Sequence, residues 1–269
     1  MIPMIDTGVD NAYYSCRGGR GRHRVEQFHL LFLARLARRV PPALFVLKGG
    51  CNLRFFHGSI RYSEAMDLDL GEIGAGAFRD KVREILASRP FAQVLEARGI
   101  AIERVSEPKQ TDTTQRWKMG LRVQGAASPL PTKIECSRRG LEDGVVLGSV
   151  DPILARVYRL PPFMINHYDA AAALRQKVGA LAGRRETQAR DVFDLHHLLA
   201  GGARLRATPG PGGDVVERAN ANALSVDFGT FKSQVLAYLE PEAQAQYDSP
   251  SAWDTIVLEV VGALRGAAS

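Results

Sequence analysis

Two acidic residues separated by one apolar position, Asp67 and Asp69 in MDLDL, are the first whose types and spacing suggest chemistry. On a strand, Met66, Leu68 and Leu70 enter the core and both carboxylates share the opposite face, with Cα atoms about 7 Å apart. Two like charges at 4 Å repel by about 4 kcal/mol at an effective dielectric near 20, and a divalent cation removes that penalty. Magnesium, or manganese in its place, prefers carboxylate oxygens and completes its shell with water and substrate phosphates. A bare acidic pair is also what an edge strand with a solvated acidic face produces.

The residues upstream change that balance. The apolar run ALFVL (43–47) is too short for a helix and reads as a strand, and it turns at Lys48, Gly49 and Gly50 into a short helix carrying Leu53 and Phe56. Glycines at a strand-to-helix turn let backbone N–H groups approach a ligand closely, and the helix N-terminus behind them favours anions. Lys48, Gly49 and Gly50 are therefore candidate contacts to the phosphates of a nucleotide, with Asp67 and Asp69 holding the bridging metal. A lone Gly-Gly is only a tight turn; the ordered series of strand, Gly-Gly, helix and acidic strand is specific. Glu135, in KIEC, offers a third carboxylate, to hold a second metal or to take the proton of an attacking hydroxyl. A surface salt bridge with Lys133 accounts for it equally well. Lys177 shares a helical row with Ala173, Leu174 and Leu181, an apolar face where an ammonium is costly unless partnered; a triphosphate would partner it, and so would a snorkelling path to solvent at a domain seam.

These residues need elements to position them. Val25, Phe28, Phe32 and Leu36 fall on one stripe of a helix over residues 24 to 39, which VPP (40–42) stops. A helix follows near 77 to 87, and IAIERV, RWKMGLRVQ and TKIECS read as strands between 100 and 137. In the middle one, Trp117, Met119, Leu121 and Val123 point one way and Arg116, Lys118 and Arg122 the other. Asp151 and Pro152 suit the cap and first position of a helix, and nearly everything after them is helical in period. The glycine- and proline-rich 201–214 reads as a surface loop or hinge. The expectation is an α+β chain: a mixed-sheet domain over 1–150 and a helical domain over 151–269.

At 269 residues and 45% hydrophobic content the chain can bury a sizeable core. The net charge of +6 favours polyanionic partners, and RGGRGRHR (17–24) clusters four arginines among glycines flexible enough to follow a nucleic acid backbone. Cys16, Cys51 and Cys136 lie far apart without zinc-site spacing. No apolar run reaches membrane-spanning length and the start lacks a secretory pattern, so no membrane association and a cytoplasmic location are expected.

Taken together, LKGGCNLRFF, RYSEAMDLDL, a lysine on a helix and then RDVFDL resemble the AbiEii/AbiGii-type nucleotidyltransferase toxins of bacterial toxin–antitoxin and abortive-infection systems, within the DNA polymerase β-like superfamily. The likeness runs over most of the chain, including SAWDTIVLEVV near the end. It implies a polymerase β-like nucleotidyltransferase domain followed by a helical domain, an NTP substrate, magnesium or manganese, an RNA acceptor such as the tRNA 3′ end, and a cognate antitoxin. It also implies that Lys177 and Asp191 belong to the active site and that Arg61 and Ser63 touch phosphates or order the loop before the acidic strand. Asp194, His196 and His197 read instead as helix packing and surface. Many relatives have Ser-x-Asp-x-Asp, whereas Ser63 is followed at the second position by Ala65. Either the pair at 67 and 69 takes over, as strand alternation supports, or a ligand is lost and the chain is a catalytically impaired nucleotide- or RNA-binding module.

Overall fold

The computed structural model describes residues 19–205 and 212–268. Its elements in chain order are α1 (Gly19–Leu36), β1 (Phe45–Lys48), α2 (Gly49–Phe56), β2 (Ala65–Leu70), α3 (Ala75–Ala87), α4 (Arg89–Glu96), β3 (Ile100–Gln110), β4 (Thr114–Val123), β5 (Leu130–Ser137), β6 (Val145–Ser149), α5 (Pro152–Val157), β7 (Met164–Tyr168), α6 (Ala170–Gly183), α7 (Ala189–Ala200), α8 (Gly213–Leu224), α9 (Phe228–Gln234), α10 (Pro241–Tyr247) and α11 (Pro250–Ala268).

The strands form one mixed sheet in the order β3-β4-β5-β2-β1-β7-β6. Its centre is set by the alternation read from the sequence: Met66, Leu68 and Leu70 are buried, with Trp117, Met119, Leu121, Phe28, Phe32, Phe78 and Phe91, in one core under α1, α3 and α4. A one-residue slip of β2 would bring its acids into that core, so the register is strongly specified. β2 runs antiparallel to β1, with Asp67 opposite Lys48, and parallel to β5, with Asp67 opposite Glu135. The sheet thus carries Lys48, Asp67 and Glu135 side by side on its open face.

A second core joins α6, α7, α8, α9 and α11 around Leu174, Leu181, Phe193, Phe231 and Trp253, with Leu53 of α2 packed into it. The Trp253 indole stacks on Phe231 at 4.5 Å between centroids and donates to the Val226 carbonyl. Asp151 caps α5 with Pro152 following it, and Asp169 caps α6.

Two segments differ from the sequence reading. The stretch after residue 150 is not helical throughout: β7 pairs parallel with β1 and antiparallel with β6, extending the sheet to Tyr168. Only five residues long, with Asn166 and His167 interrupting its apolar positions, it gave no period to read. The arginine-glycine segment is no loose arm from Gly19 onward, because its described part forms the first turns of α1. There Arg22 lies 5.0 Å over the Tyr238 ring and Arg24 donates to Gln27. Residues 17–18, Cys16 and 206–211 of the expected surface loop lie outside the described residues; Cys51 and Cys136 are buried free thiols. Among the described residues no helix is long and apolar enough to cross a membrane.

Candidate active site

Between the open face of the sheet and the helices lies a cleft of about 570 Å³, within the usual range for a small-molecule site. It is lined by Lys48, Gly49 and Gly50, by Arg61, Ser63 and Ala65, by Asp67, Lys133 and Glu135, and by Lys177, Arg184 and Arg190 from the helical side. Basic residues outnumber acidic ones in its wall by seven to four. Such a surplus in a recessed site attracts anions.

The diglycine turn is shaped around two particular side chains. Gly49 has φ +67°, and a Cβ there would lie 2.8 Å from Asp67 Oδ2. A Cβ on Gly50 would lie 2.8 Å from the Ser63 hydroxyl and 3.0 Å from Arg61 Nη2. A side chain at either position would displace Asp67, Ser63 or Arg61, and Gly49 is also favoured by its left-handed backbone. Ser63 donates to the Ala65 carbonyl at 2.8 Å and orders the loop into β2. A buried chain holds the same loop from behind: His29 contacts Thr132, which donates to the Glu64 carbonyl, and Cys51 donates to the Ala65 carbonyl. Burial lowers the His29 pKa to about 3, so the ring is neutral.

The three carboxylates expected to share a metal stand in different surroundings. Asp67 is half-buried on the cleft wall, and among the described residues no side chain pairs with it or hydrogen-bonds to it. Burial pushes its pKa above 3.8; the Lys133 ammonium pulls it down, Glu135 adds to the rise, and Lys48 and Lys177 oppose it. Asp69 is only 2% exposed and engaged at both oxygens, by Lys48 Nζ at 2.5 Å and by the Tyr168 hydroxyl at 2.8 Å. Lys48, expected to meet phosphates, thus serves Asp69, although it also reaches the cleft wall. Glu135 lines the cleft but accepts from Arg116 at 2.8 Å and Lys133 at 3.3 Å. Burial raises its pKa, and those two cations outweigh the rise and hold it below the usual range. Among the described residues no three His, Cys, Asp or Glu side chains are gathered as a metal cage. Lys48 on β1 pairs with Asp69, and Arg116 on β4 and Lys133 on β5 pair with Glu135.

The helical wall is a buried ion network. Lys177 Nζ lies 3.0 Å from Asp191 Oδ1 and 2.7 Å from Asp194 Oδ2. Arg184 pairs with Asp191 at 2.6 Å, and Arg61 grips Asp194 with two bonds of 2.9 and 2.8 Å. Desolvation lowers the pKa of Lys177, yet the two aspartates outweigh it and keep the ammonium charged. The network joins Lys177 with Asp191, as the family resemblance implies, and brings in Arg61, expected at the phosphates or the loop, and Asp194, expected to be helix packing. The available signal was spacing: Asp191 and Asp194, three apart, share a helix face, and neither has any exposure. His196 and His197 do lie on helix surface and seam, contacting Glu259 and the His57 carbonyl.

A family model described as Nucleotidyl transferase AbiEii toxin, Type IV TA system, matches residues 31–245. Among solved structures, the chain is similar to MenT4, a nucleotidyltransferase toxin from Mycobacterium tuberculosis H37Rv, with TM-score 0.64 and 18% identity over 93% of this chain and 86% of that one. It is also similar to JHP933 from Helicobacter pylori, with TM-score 0.54 and 17% identity over 92% and 91% of the two chains. At such identities these two likenesses are of fold. Comparison with curated proteins gives no match.

Proposed function

Because this chain belongs to the AbiEii nucleotidyltransferase toxin family, we propose that its cleft transfers a nucleoside monophosphate from an NTP to a hydroxyl of RNA, such as the tRNA 3′ end, with a divalent metal held on the Asp67 side of the cleft. Membership of a toxin–antitoxin family implies the NTP substrate and a cognate antitoxin partner. In the reaction the acceptor oxygen bonds to the α-phosphorus as the bond to the β-phosphate breaks, releasing pyrophosphate.

The observation that carries this reading is Asp67. It is a carboxylate that burial makes costly to ionise, unpaired among the described residues, set against the left-handed Gly49 in a basic cleft. That donor set fits magnesium or manganese, which bind through one or two carboxylates and substrate phosphates rather than an all-protein cage. Asp67 would hold the ion, with Glu135 beside it and Asp69 behind. When bound, such an ion supplies charge to the transferring phosphoryl group.

The chain's own groups do the positioning. Gly49 and Gly50 present backbone to the phosphates, and Lys177, held charged by its two aspartates, supplies a fixed positive charge. Asp191 orients it together with Arg184. Arg61 and Ser63 fill the space behind Gly50 and fix the turn. Glu135 is the carboxylate nearest in register to Asp67 that could accept the hydroxyl proton, and Arg116 and Lys133 hold it ionised. With Ala65 at the first acidic position, this reading uses the pair two places later, Asp67 facing the cleft and Asp69 behind it.

The acceptor reading rests on the sheet beyond the cleft. The rung of Asp67 continues through Glu135 and Arg116 to Lys109, and the next runs from Ala65 through Lys133 and Lys118 to Ser106. Cations on an open sheet face suit a phosphate backbone. The test is incubation with each labelled NTP, magnesium and total tRNA, beside Asp67→Ala. Label transferred to RNA by the wild type and lost in the variant is the expected result; NTP binding without transfer by the wild type would refute the proposal.

A further inference from the structure

Asp194 lies behind the cleft wall, in contact with two residues that line it, Arg61 and Lys177, and the nucleotidyl-transfer reading gives it no role beyond keeping Lys177 charged. It has no solvent exposure, sits on α7, and each of its oxygens meets a cation: Oδ1 accepts from Arg61 Nε at 2.9 Å, and Oδ2 from Arg61 Nη2 at 2.8 Å and Lys177 Nζ at 2.7 Å. Two parallel bonds from a guanidinium fix its plane as well as its position. The Arg61 Nη2 that Asp194 holds lies 3.0 Å from the position a Gly50 Cβ would take. One carboxylate therefore holds both the guanidinium packed beside the diglycine turn and, directly, the Lys177 ammonium. The backbone reinforces the link, since the Tyr62 amide donates to the Tyr238 carbonyl and Arg61 bridges to Leu239.

We propose that Asp194 is the positioning residue of this cleft, setting the diglycine turn through Arg61 and Lys177 directly, so that both phosphate contacts are fixed by one helix. The proposal rests on the nucleotidyl-transfer reading for its kinetic consequence, but its geometric content stands apart from it. Charge alone makes the opposite prediction for affinity. Arg61, Lys177 and Arg184 are three cations against Asp191 and Asp194, so neutralising Asp194 makes the wall more positive and favours a triphosphate. Positioning predicts that the transfer step suffers nonetheless, because displacement by about 1 Å can cost on the order of 100-fold in rate.

The variants are Asp194→Asn, which keeps shape and loses charge, and Arg61→Lys, which keeps charge and loses the two-bond fork. NTP dissociation constants, single-turnover transfer rates and peptide-level hydrogen exchange are measured for each and for the double variant. The expected result is a rate lower by about 100-fold with NTP affinity equal or tighter, and faster exchange in the peptide holding Gly49 and Gly50 while β3–β4 peptides are unchanged. In the double variant the rate losses fall well short of multiplying, because both remove one contact. Rate and affinity falling in parallel, or losses that multiply, would overturn the positioning role. If the wild type transfers no label, the functional reading fails and exchange at the turn decides: acceleration in the variants upholds the geometric role and unchanged exchange ends it. Should Asp194→Asn not fold, Arg61→Lys carries the same comparison.

Discussion

Gly49 and Gly58 share one positive φ in different surroundings, which allows strain to be separated from function. Both have φ +67°, but an added Cβ meets nothing within 4 Å at Gly58 and lies 2.8 Å from Asp67 Oδ2 at Gly49. Alanine at either position bears the left-handed penalty of about 1–2 kcal/mol, which for a chain of this size lowers the melting temperature by about 2–8 °C. At Gly49 there is a further effect. The clashing atom is the tip of a rotatable side chain, and the next contact, to Asp67 Cβ at 3.4 Å, is ordinary. The collision is therefore relieved by turning the carboxylate away from the turn rather than by unfolding. The two variants should melt within a few degrees of one another, yet Gly49→Ala should lose transfer activity by about 100-fold, the scale of a roughly 1 Å misplacement, while Gly58→Ala keeps it. Thermal melts and labelled-NTP transfer rates under identical magnesium are the assay. Wild-type activity in Gly49→Ala, or an equal loss in Gly58→Ala, would show that the contact between turn and carboxylate does not matter to the reaction.

The raised pKa of Asp67 gives a pH-dependent prediction. The folded state holds this proton more tightly than the unfolded chain, so stability falls as pH rises from 3.8 towards the folded value and the penalty stays at neutral pH. Asp67→Asn should therefore melt higher than the wild type at pH 7, with the difference vanishing below about pH 4, while transfer is abolished; a variant less stable at pH 7 would mean that a hidden partner pairs with Asp67. Among the described residues, Lys48→Met leaves Asp69 with only the Tyr168 hydroxyl. Because the Lys48 side chain is 28% exposed, its loss should cost about 2 kcal/mol, less than the ~3–5 of a fully buried pair, and magnesium should restore part of it in melts compared with EDTA. No greater magnesium effect than in the wild type would show that Asp69 cannot take a cation.

What the sequence determined by itself was local. Alternation placed Met66, Leu68 and Leu70 inward, and the apolar stripe from Val25 to Leu36 announced α1, because a strand or an amphipathic helix writes its period in consecutive residues. The order of strand, diglycine, helix and acidic strand likewise marked the cleft, since turn and acids lie within one hairpin-like unit of β1, α2 and β2. Tertiary structure decided which charges meet. Asp67 and Asp69 look equivalent in MDLDL, yet β1 and β7 bring Lys48 and Tyr168 onto Asp69 and, among the described residues, leave Asp67 unpaired. Asp194 looked like helix packing until Arg61, 133 positions away, closed on it. Electrostatic partners in a folded chain are set by which elements pack together, and a single sequence encodes their distance only through the whole fold.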